Sequence, residues 1–262
     1  MIALRRVWHL RRAWQLAAAA GCAPLGRLHV VGAAARLAGS DLTGRRGIHR
    51  LVLGELGTIA VRDFSELLVL WEVFVAEVYD VPELPSSAAV VLDLGCNVGA
   101  SMLWFGRRYP GARIVGYEAD PATAALARGN TAGLPNSEVH SAALAAEDGE
   151  ITFWRIPGHS WASGTFERRG VPVTVPAVGL DTVLAGFDQP VDVLKLNIEG
   201  AEHPVLAAAR RLDRVRTILG QYHPGDGVSW ETLRRSLDGF AVHPAHAPDD
   251  EGRPFVAVRA SA

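Results

Sequence analysis

The chain has 262 residues, of which 49% are hydrophobic and 21% charged, and its formal net charge is −2. This composition is that of one large globular α/β domain and excludes a disordered chain. Without a global basic field, nucleic acid is not an expected partner. Cys22 and Cys96 have no CxxC partner, which argues against a disulfide framework or structural zinc site and favours a cytoplasmic location.

Residues 1–26 mix four arginines with apolar side chains. A signal peptide would need an apolar region unbroken by charge, and the uncharged run 14–25 is too short to span a bilayer. Leu4, Val7, Trp8 and Trp14 recur at helical spacing, which predicts an amphipathic cap helix. We therefore expect no stable membrane insertion, and peripheral membrane contact is a less favoured alternative.

Residues 51–62 predict two short strands around glycine turns, and an apolar stripe predicts a helix over 64–80. From residue 88 onward, predicted strands alternate with helices of about ten residues. The predicted strands are 88–94, 112–120, 138–144, 151–156, 171–178, 191–197, 215–223 and 255–260. DGE at 148–150 predicts a hairpin between the third and fourth of them. The alternation predicts βαβ units and a mainly parallel sheet.

Ligands of such sheets bind at the carboxyl ends of the strands. Four polar residues fall there, namely Asp93, Glu118, Asn197 and His223. The first loop reads DLGCNVG, and a dinucleotide site would need glycine where Asn97 stands, so an NAD-dependent oxidoreductase is disfavoured. The absence of a GK[ST] sequence excludes a P-loop.

The same loop is suited to a ligand without phosphates. Backbone around Gly95 and Gly99 can pack on a methionine-like tail, and Glu118 follows at an offset from which a carboxylate can accept both hydroxyls of a ribose. Asp93 can orient the loop or hold the ligand's ammonium group through water. This pattern is typical of S-adenosylmethionine in Rossmann-like methyltransferases, although DLG alone is also compatible with an ordinary strand-to-helix turn.

Several longer segments carry a resemblance to a known family. They are VRDFSELLVLWEVFVAEVYD (61–80), VVLDLGCNVGASMLWF (90–105), GYEADPATAALARGN (116–130), SAALAAEDGEITFW (141–154), VGLDTVL (178–184), VDVLKLNIEGAEHPVL (191–206) and ILGQYH (218–223). In these segments the chain resembles the FkbM-type methyltransferases, S-adenosylmethionine-dependent enzymes that mostly O-methylate hydroxyls of natural products and glycans. The resemblance covers roughly residues 50–223.

The resemblance implies an α/β fold with a Rossmann-like, seven-stranded class I methyltransferase sheet whose last strand is antiparallel, a place that FVAVRA can fill. We predict an N-terminal helical cap over residues 1–60 and an S-adenosylmethionine-binding domain over 61–262. Gly95, Asn97 and Gly99 would line the cofactor and Glu118 would bind its ribose. Ser141 and Ala143 would lie near the adenine.

Two positions depart from the family pattern. Where Asn197 stands the family usually has an aspartate, and where Gln221 stands it often has a glutamate. Hard cations prefer carboxylate oxygens, and both positions carry a neutral amide instead of an acid. A divalent metal is therefore not favoured, although Glu199 and Glu202 remain as possible ligands.

In this fold the strand predicted here at 191–197 ends beside the donor methyl group. Lys195, Asn197 and Glu199 should therefore lie near the reacting centre, on one face of the strand. Glu199, Glu202, His203 and His223 are candidates for the general base. We prefer His223 slightly, because imidazole titrates near neutrality. Lys195 is expected to pair with Glu199, to steer an anionic substrate, or to serve in a structural ion pair.

The loop 159–170 offers Trp161 and His159 as substrate contacts, although it also suits a solvated connection with a buried tryptophan. We expect an enzyme that O-methylates a small-molecule acceptor, with N-methylation left open. The alternative is a non-catalytic cofactor- or partner-binding protein on the same scaffold. A homodimer is also left open.

Overall fold

The computed structural model describes residues 2–43, 47–156, 170–223, 229–244 and 253–259. The helices are α1 (Ile2–Ala19), α2 (Pro24–Thr43), α3 (Phe64–Phe74), α4 (Ala100–Arg108), α5 (Pro121–Asn130), α6 (Leu180–Ala185), α7 (Glu202–Ala208) and α8 (Trp230–Arg235). The strands are β1 (His49–Val52), β2 (Thr58–Val61), β3 (Val90–Leu94), β4 (Arg113–Glu118), β5 (Ser137–Ser141), β6 (Ala143–Ala145), β7 (Gly149–Arg155), β8 (Val171–Gly179), β9 (Val191–Leu196), β10 (Val215–Tyr222), β11 (Phe240–Pro244) and β12 (Arg253–Arg259).

Seven strands form the main sheet, in the order β11-β12-β10-β9-β3-β4-β5. From β10 to β5 every neighbouring pair is parallel, whereas β12 is antiparallel to both β10 and β11. Every residue of β3 and β9 is buried, as expected for central strands covered on both faces. The predicted sheet with its antiparallel strand from FVAVRA is therefore confirmed, while β11 was not predicted.

The predicted hairpin around residues 148–150 is wrong. The third predicted strand divides into β5, in the main sheet, and β6, in a separate sheet of order β6-β8-β7. Strand β8 lies between β6 and β7 and pairs parallel with one and antiparallel with the other. Asp148 accepts hydrogen bonds from the Gly179 N–H and the Thr182 hydroxyl, so the turn binds the end of β8 instead of closing a hairpin.

The N-terminal helices and the β1–β2 hairpin share one apolar cluster with α3 and α4. Helix α3 begins at Asp63, whose carboxylate accepts the Glu66 N–H, and it ends at Phe74, earlier than the predicted stripe. Glu77, with a φ of 52°, adopts a left-handed conformation that a helix cannot continue through. Within the described residues, no helix is both long and apolar enough to cross a membrane. The boundary near residue 60 stays a prediction.

Candidate active site

The loop after β3 needs glycine at its first position. Gly95 has a φ of +80°, and a Cβ built there would lie 1.9 Å from the carbonyl oxygen of Asn197. The N–H groups of Gly95 and Cys96 both donate to the Tyr117 carbonyl at 2.9 and 3.0 Å, while the Asn197 N–H donates to Leu94 O at 3.1 Å. Backbone hydrogen bonds thus hold the ends of β3, β4 and β9 together.

Glu118, at the end of β4, is bonded to the same loop. Its Oε2 accepts the Asn97 N–H at 3.1 Å, and its Oε1 accepts the Asp120 N–H at 2.9 Å. Asn97 has a φ of 50°, and its own Oδ1 accepts the Val98 N–H at 2.8 Å. Burial raises the pKa of Glu118 to about 7. Since a carboxylate oxygen has two lone pairs, both oxygens can accept a further bond from a ligand diol.

Asn130, at the end of α5, secures the loop from behind. Its side-chain NH₂ donates to Val98 O at 2.9 Å and to Ala60 O at 3.0 Å, and its Oδ1 accepts the Ala60 N–H at 2.7 Å. A Cβ on Gly99 would lie 2.8 Å from Thr131 Cγ2, which leaves room only for glycine beside the helix. The β1–β2 hairpin and the first loop are therefore joined through the Asn130 carboxamide.

The two residues predicted to lie near the adenine occupy different surroundings. Ser141 is the last residue of β5 and the register partner of Glu118, which places it at the same edge of the sheet. Ala143 begins β6 and is buried in a small cluster with Phe153 and Val175. Their assignment to the adenine stays a prediction.

Lys195 forms an ion pair with Asp93 and not with Glu199. The two are register partners on neighbouring strands, with 3.0 Å between Lys195 Nζ and Asp93 Oδ1. Nζ also donates to Gly95 O at 2.6 Å, and the Ser101 hydroxyl donates to Asp93 Oδ2 at 2.5 Å. Burial lowers the pKa of Lys195, but the charge and hydrogen bond of Asp93, together with Tyr79 and Cys96, outweigh the effect of burial, so the pKa is raised.

Both members of this pair are almost fully buried, at 2% exposure for Lys195 and 0% for Asp93. The expected structural role of Lys195 is therefore supported, and its ammonium is not available to steer an anionic substrate. Of the two roles expected for Asp93, the geometry favours orienting the loop. Removing either charge would leave the other buried and unpaired, at a cost of about 3–5 kcal/mol.

The expectation that Lys195, Asn197 and Glu199 share one strand face is wrong. Strand β9 ends at Leu196, and Glu199, with a φ of 52°, lies in a turn where alternation no longer applies. This turn is held by Glu202, whose carboxylate accepts the N–H groups of residues 198 and 200, both at 2.9 Å. Glu202 is 1% exposed, so its role exceeds that of a first-turn acid on α7.

Glu202 also contacts His223, which follows β10. Glu202 Oε1 lies 2.9 Å from His223 Nδ1, and the other ring nitrogen, Nε2, lies 3.7 Å from Glu199 Oε2. Burial lowers the pKa of His223, but the two glutamates outweigh it and the pKa is raised. Burial likewise raises the pKa of Glu199 to about 7, against the opposing effect of His223. The arrangement is a histidine oriented by a buried carboxylate, with its second nitrogen toward a partly exposed one.

The two amides at the departures from the family pattern contact each other. Asn197 Nδ2 donates to Gln221 Oε1 at 3.1 Å, while Asn197 Oδ1 is buried and has no hydrogen-bond partner in the described part of the chain. Tyr79, from the segment after α3, lies beside them. Burial raises the pKa of Tyr79, and the Asp93 charge raises it further. Lys195 and a hydrogen bond with Asn197 oppose this change. Tyr79 lies in the segment 61–80 that carries the family resemblance, but it was not predicted as a site residue.

Trp161 and His159, the predicted substrate contacts, lie outside the described residues. Among the residues that are described, no three His, Cys, Asp or Glu side chains are grouped so that they could hold a metal ion.

Comparison with known proteins gives the following matches. Residues 93–241 match the profile of the Methyltransferase FkbM domain. The chain is 28% identical over 210 residues to "Methyltransferase 1" of Beauveria bassiana, covering 68% of this chain and 84% of that protein. It is 28% identical over 153 residues to "2-O-methyltransferase NoeI" of Sinorhizobium fredii, covering 51% of this chain and 63% of that protein.

Among solved structures, Aeropyrum pernix fibrillarin in complex with S-adenosyl-L-methionine aligns with 81% of this chain and 83% of that chain, at 14% identity and a TM-score of 0.45.

Proposed function

We propose, from the premise that the chain belongs to the FkbM methyltransferase family, that this methyltransferase uses S-adenosylmethionine to O-methylate an uncharged small molecule. The observation that carries the O-methylation proposal is the contact between His223 and Glu202, which prepares a proton acceptor at the edge of the sheet where the ligand binds.

The first loop and Glu118 fit the cofactor. The half-buried Glu118 carboxylate has two backbone donors and keeps accepting capacity for a ribose diol. Gly95 and Gly99 carry no side chain and adopt positive φ angles, which lets the loop turn into α4. When bound, the cofactor supplies an electrophilic methyl group on a sulfonium. Residues of this chain would hold it at the loop and at Glu118.

His223 is the proposed general base. An ionised Glu202 carboxylate can accept a hydrogen bond but cannot donate one. The Nδ1–H of His223 therefore donates a hydrogen bond to Glu202, and the lone pair of Nε2 is left as the acceptor. The negative charge of Glu202 also stabilises the imidazolium formed when Nε2 takes a proton from the acceptor hydroxyl. Glu199, 3.7 Å from Nε2, can take up or share that proton.

The charges at this edge favour an uncharged acceptor. Glu199 and Glu202 are acidic, and Lys195 is bound to Asp93 and to backbone carbonyls. An anionic acceptor would therefore approach two carboxylates, while the Lys195 ammonium is already paired with Asp93. A neutral amine already exposes its lone pair, so a positioned base favours the hydroxyl. The relative whose name includes 2-O-methyltransferase agrees with this preference.

Two measurements test the proposal. Titration calorimetry should detect S-adenosylmethionine binding that Glu118→Gln weakens and that Glu138→Gln, an exposed acid on neighbouring β5, leaves unchanged. Radiolabelled methyl transfer to a panel of hydroxylated small molecules should then be lost in His223→Gln while cofactor affinity is kept. No binding at millimolar cofactor would overturn the cofactor assignment. Binding without transfer to any acceptor would favour the non-catalytic alternative. Full turnover by His223→Gln would refute the assignment of His223 as the general base.

A further inference from the structure

Large apolar side chains are exposed at the outer surface of the α1–α2 hairpin. Leu25 is 82% exposed, Leu28 58% and Trp14 40%. Leu25 and Leu28 are three residues apart on α2 and so share one face of that helix. Cys22 donates from Sγ to Val52 O at 3.6 Å, which brings the exposed Val52 beside the same turn. We call Trp14, Leu25, Leu28 and Val52 the hairpin patch.

Basic residues predominate in the segment that carries most of the hairpin patch. Residues 1–40 contain six arginines and no Asp or Glu, whereas the rest of the chain contains 20 basic and 28 acidic residues. Arg11 is exposed, and the Arg27 guanidinium lies 5.5 Å from the centre of the Trp14 ring. Glu55, whose side chain lies beside Gly21 in the turn, is in an ion pair with Arg107 at 2.9 Å.

We propose that the hairpin patch and its arginines bind the surface of an anionic lipid membrane. Exposed Leu and Trp side chains flanked by arginine are suited to the interface, where apolar groups enter the acyl boundary and cations contact lipid headgroups. The contact is peripheral, since no described helix is long and apolar enough to span a bilayer.

Other occupants fit the hairpin patch less well. A second copy of this chain docked on the same surface would oppose two arginine-rich segments that lack acidic residues. A nucleic acid would contact the arginines but would offer the exposed leucines little apolar surface. A membrane accounts for both the charge and the apolar side chains. The proposal is independent of the methyl-transfer proposal, because lipid binding is measured without an acceptor.

The test is co-sedimentation of the full chain with vesicles of phosphatidylcholine alone or mixed with phosphatidylglycerol. We expect binding to the mixed vesicles only, weakened by salt. Leu25→Asn combined with Leu28→Asn should weaken binding by about tenfold or more, through lost apolar burial. Arg11→Gln should weaken it about fivefold. The matched controls Val171→Asn and Arg235→Gln change exposed residues elsewhere and should bind as wild type.

Three results would overturn the proposal. The first is no binding to mixed vesicles, and the second is equal binding by wild type and the double leucine variant. The third is binding to a DNA or RNA oligonucleotide, or self-association, that the same variants abolish while vesicle binding stays unchanged. Since the substituted side chains are exposed, unchanged circular dichroism should show that every variant is folded.

Discussion

Asn130 offers the sharpest test of how the β1–β2 hairpin supports the first loop. In Asn130→Ala, three hydrogen bonds are lost, which leaves the Ala60 N–H, the Ala60 carbonyl and the Val98 carbonyl without this partner. A buried polar group without its partner costs about 1–3 kcal/mol. Val98 is fully buried, whereas Ala60 is half-buried and can be partly hydrated. We therefore expect a loss of about 3 kcal/mol, roughly a hundredfold in the unfolding constant.

Urea denaturation followed by tryptophan fluorescence measures this loss as a lower midpoint at an unchanged m-value. Gln189→Ala, which removes an exposed carboxamide, is the matched control and should stay within about 0.5 kcal/mol of wild type. Asn130→Asp should be at least as destabilising near neutral pH, because a carboxylate accepts from Ala60 but faces two carbonyls. A loss below about 0.5 kcal/mol in Asn130→Ala would refute the bridge as a stabilising element.

Further predictions concern the site itself. Glu202→Gln should lower kcat by about 10²–10⁴-fold with cofactor affinity kept, since it removes the charge that orients and stabilises His223; unchanged kcat in steady-state assays would contradict this. Gly95→Ala should destabilise the fold strongly, because its Cβ would lie 1.9 Å from the Asn197 carbonyl oxygen. Gly111→Ala, also at positive φ but in open space, should cost only about 1–2 kcal/mol. Cofactor affinity should fall about tenfold from pH 8 to pH 6 as Glu118, with a pKa of about 7, is protonated, and calorimetry of Glu118→Gln should show no such dependence.

The main sheet was predictable because local patterns specify it. The apolar run of β3 and the Asp120-Pro121 pair, which begins α5, are short-range signals of a buried strand and of a helix start. The error around residues 148–150 has a non-local cause. Strand β8 enters between β6 and β7 from about 25 residues further along the chain, and a turn signal cannot report such a pairing. Strand β11, with its terminal Pro244, was missed for lack of a strong apolar alternation.

The sequence predicted several residues of the candidate site but not the contacts between them. Strand ends identified Glu118 and His223, and the structure places Glu118 at the carboxyl end of β4 and His223 directly after β10. The role of Glu202 depends on a turn in which Glu199 is left-handed, and a strand pattern could not anticipate it. Tyr79 packs against Trp104 and Phe105 of α4, a contact between segments that share no motif.

Asn197 and Gln221 are best understood as one feature of two adjacent strands. The family resemblance implies an acid at each position, and two carboxylates facing each other would repel or share a proton. The amides instead form a hydrogen bond at 3.1 Å, so the second replacement supplies the acceptor that the first one needs. An amide cannot take a proton at neutral pH. The proposed O-methylation therefore needs a proton acceptor other than these amides, and we propose His223, which has Glu202 at one ring nitrogen and Glu199 near the other.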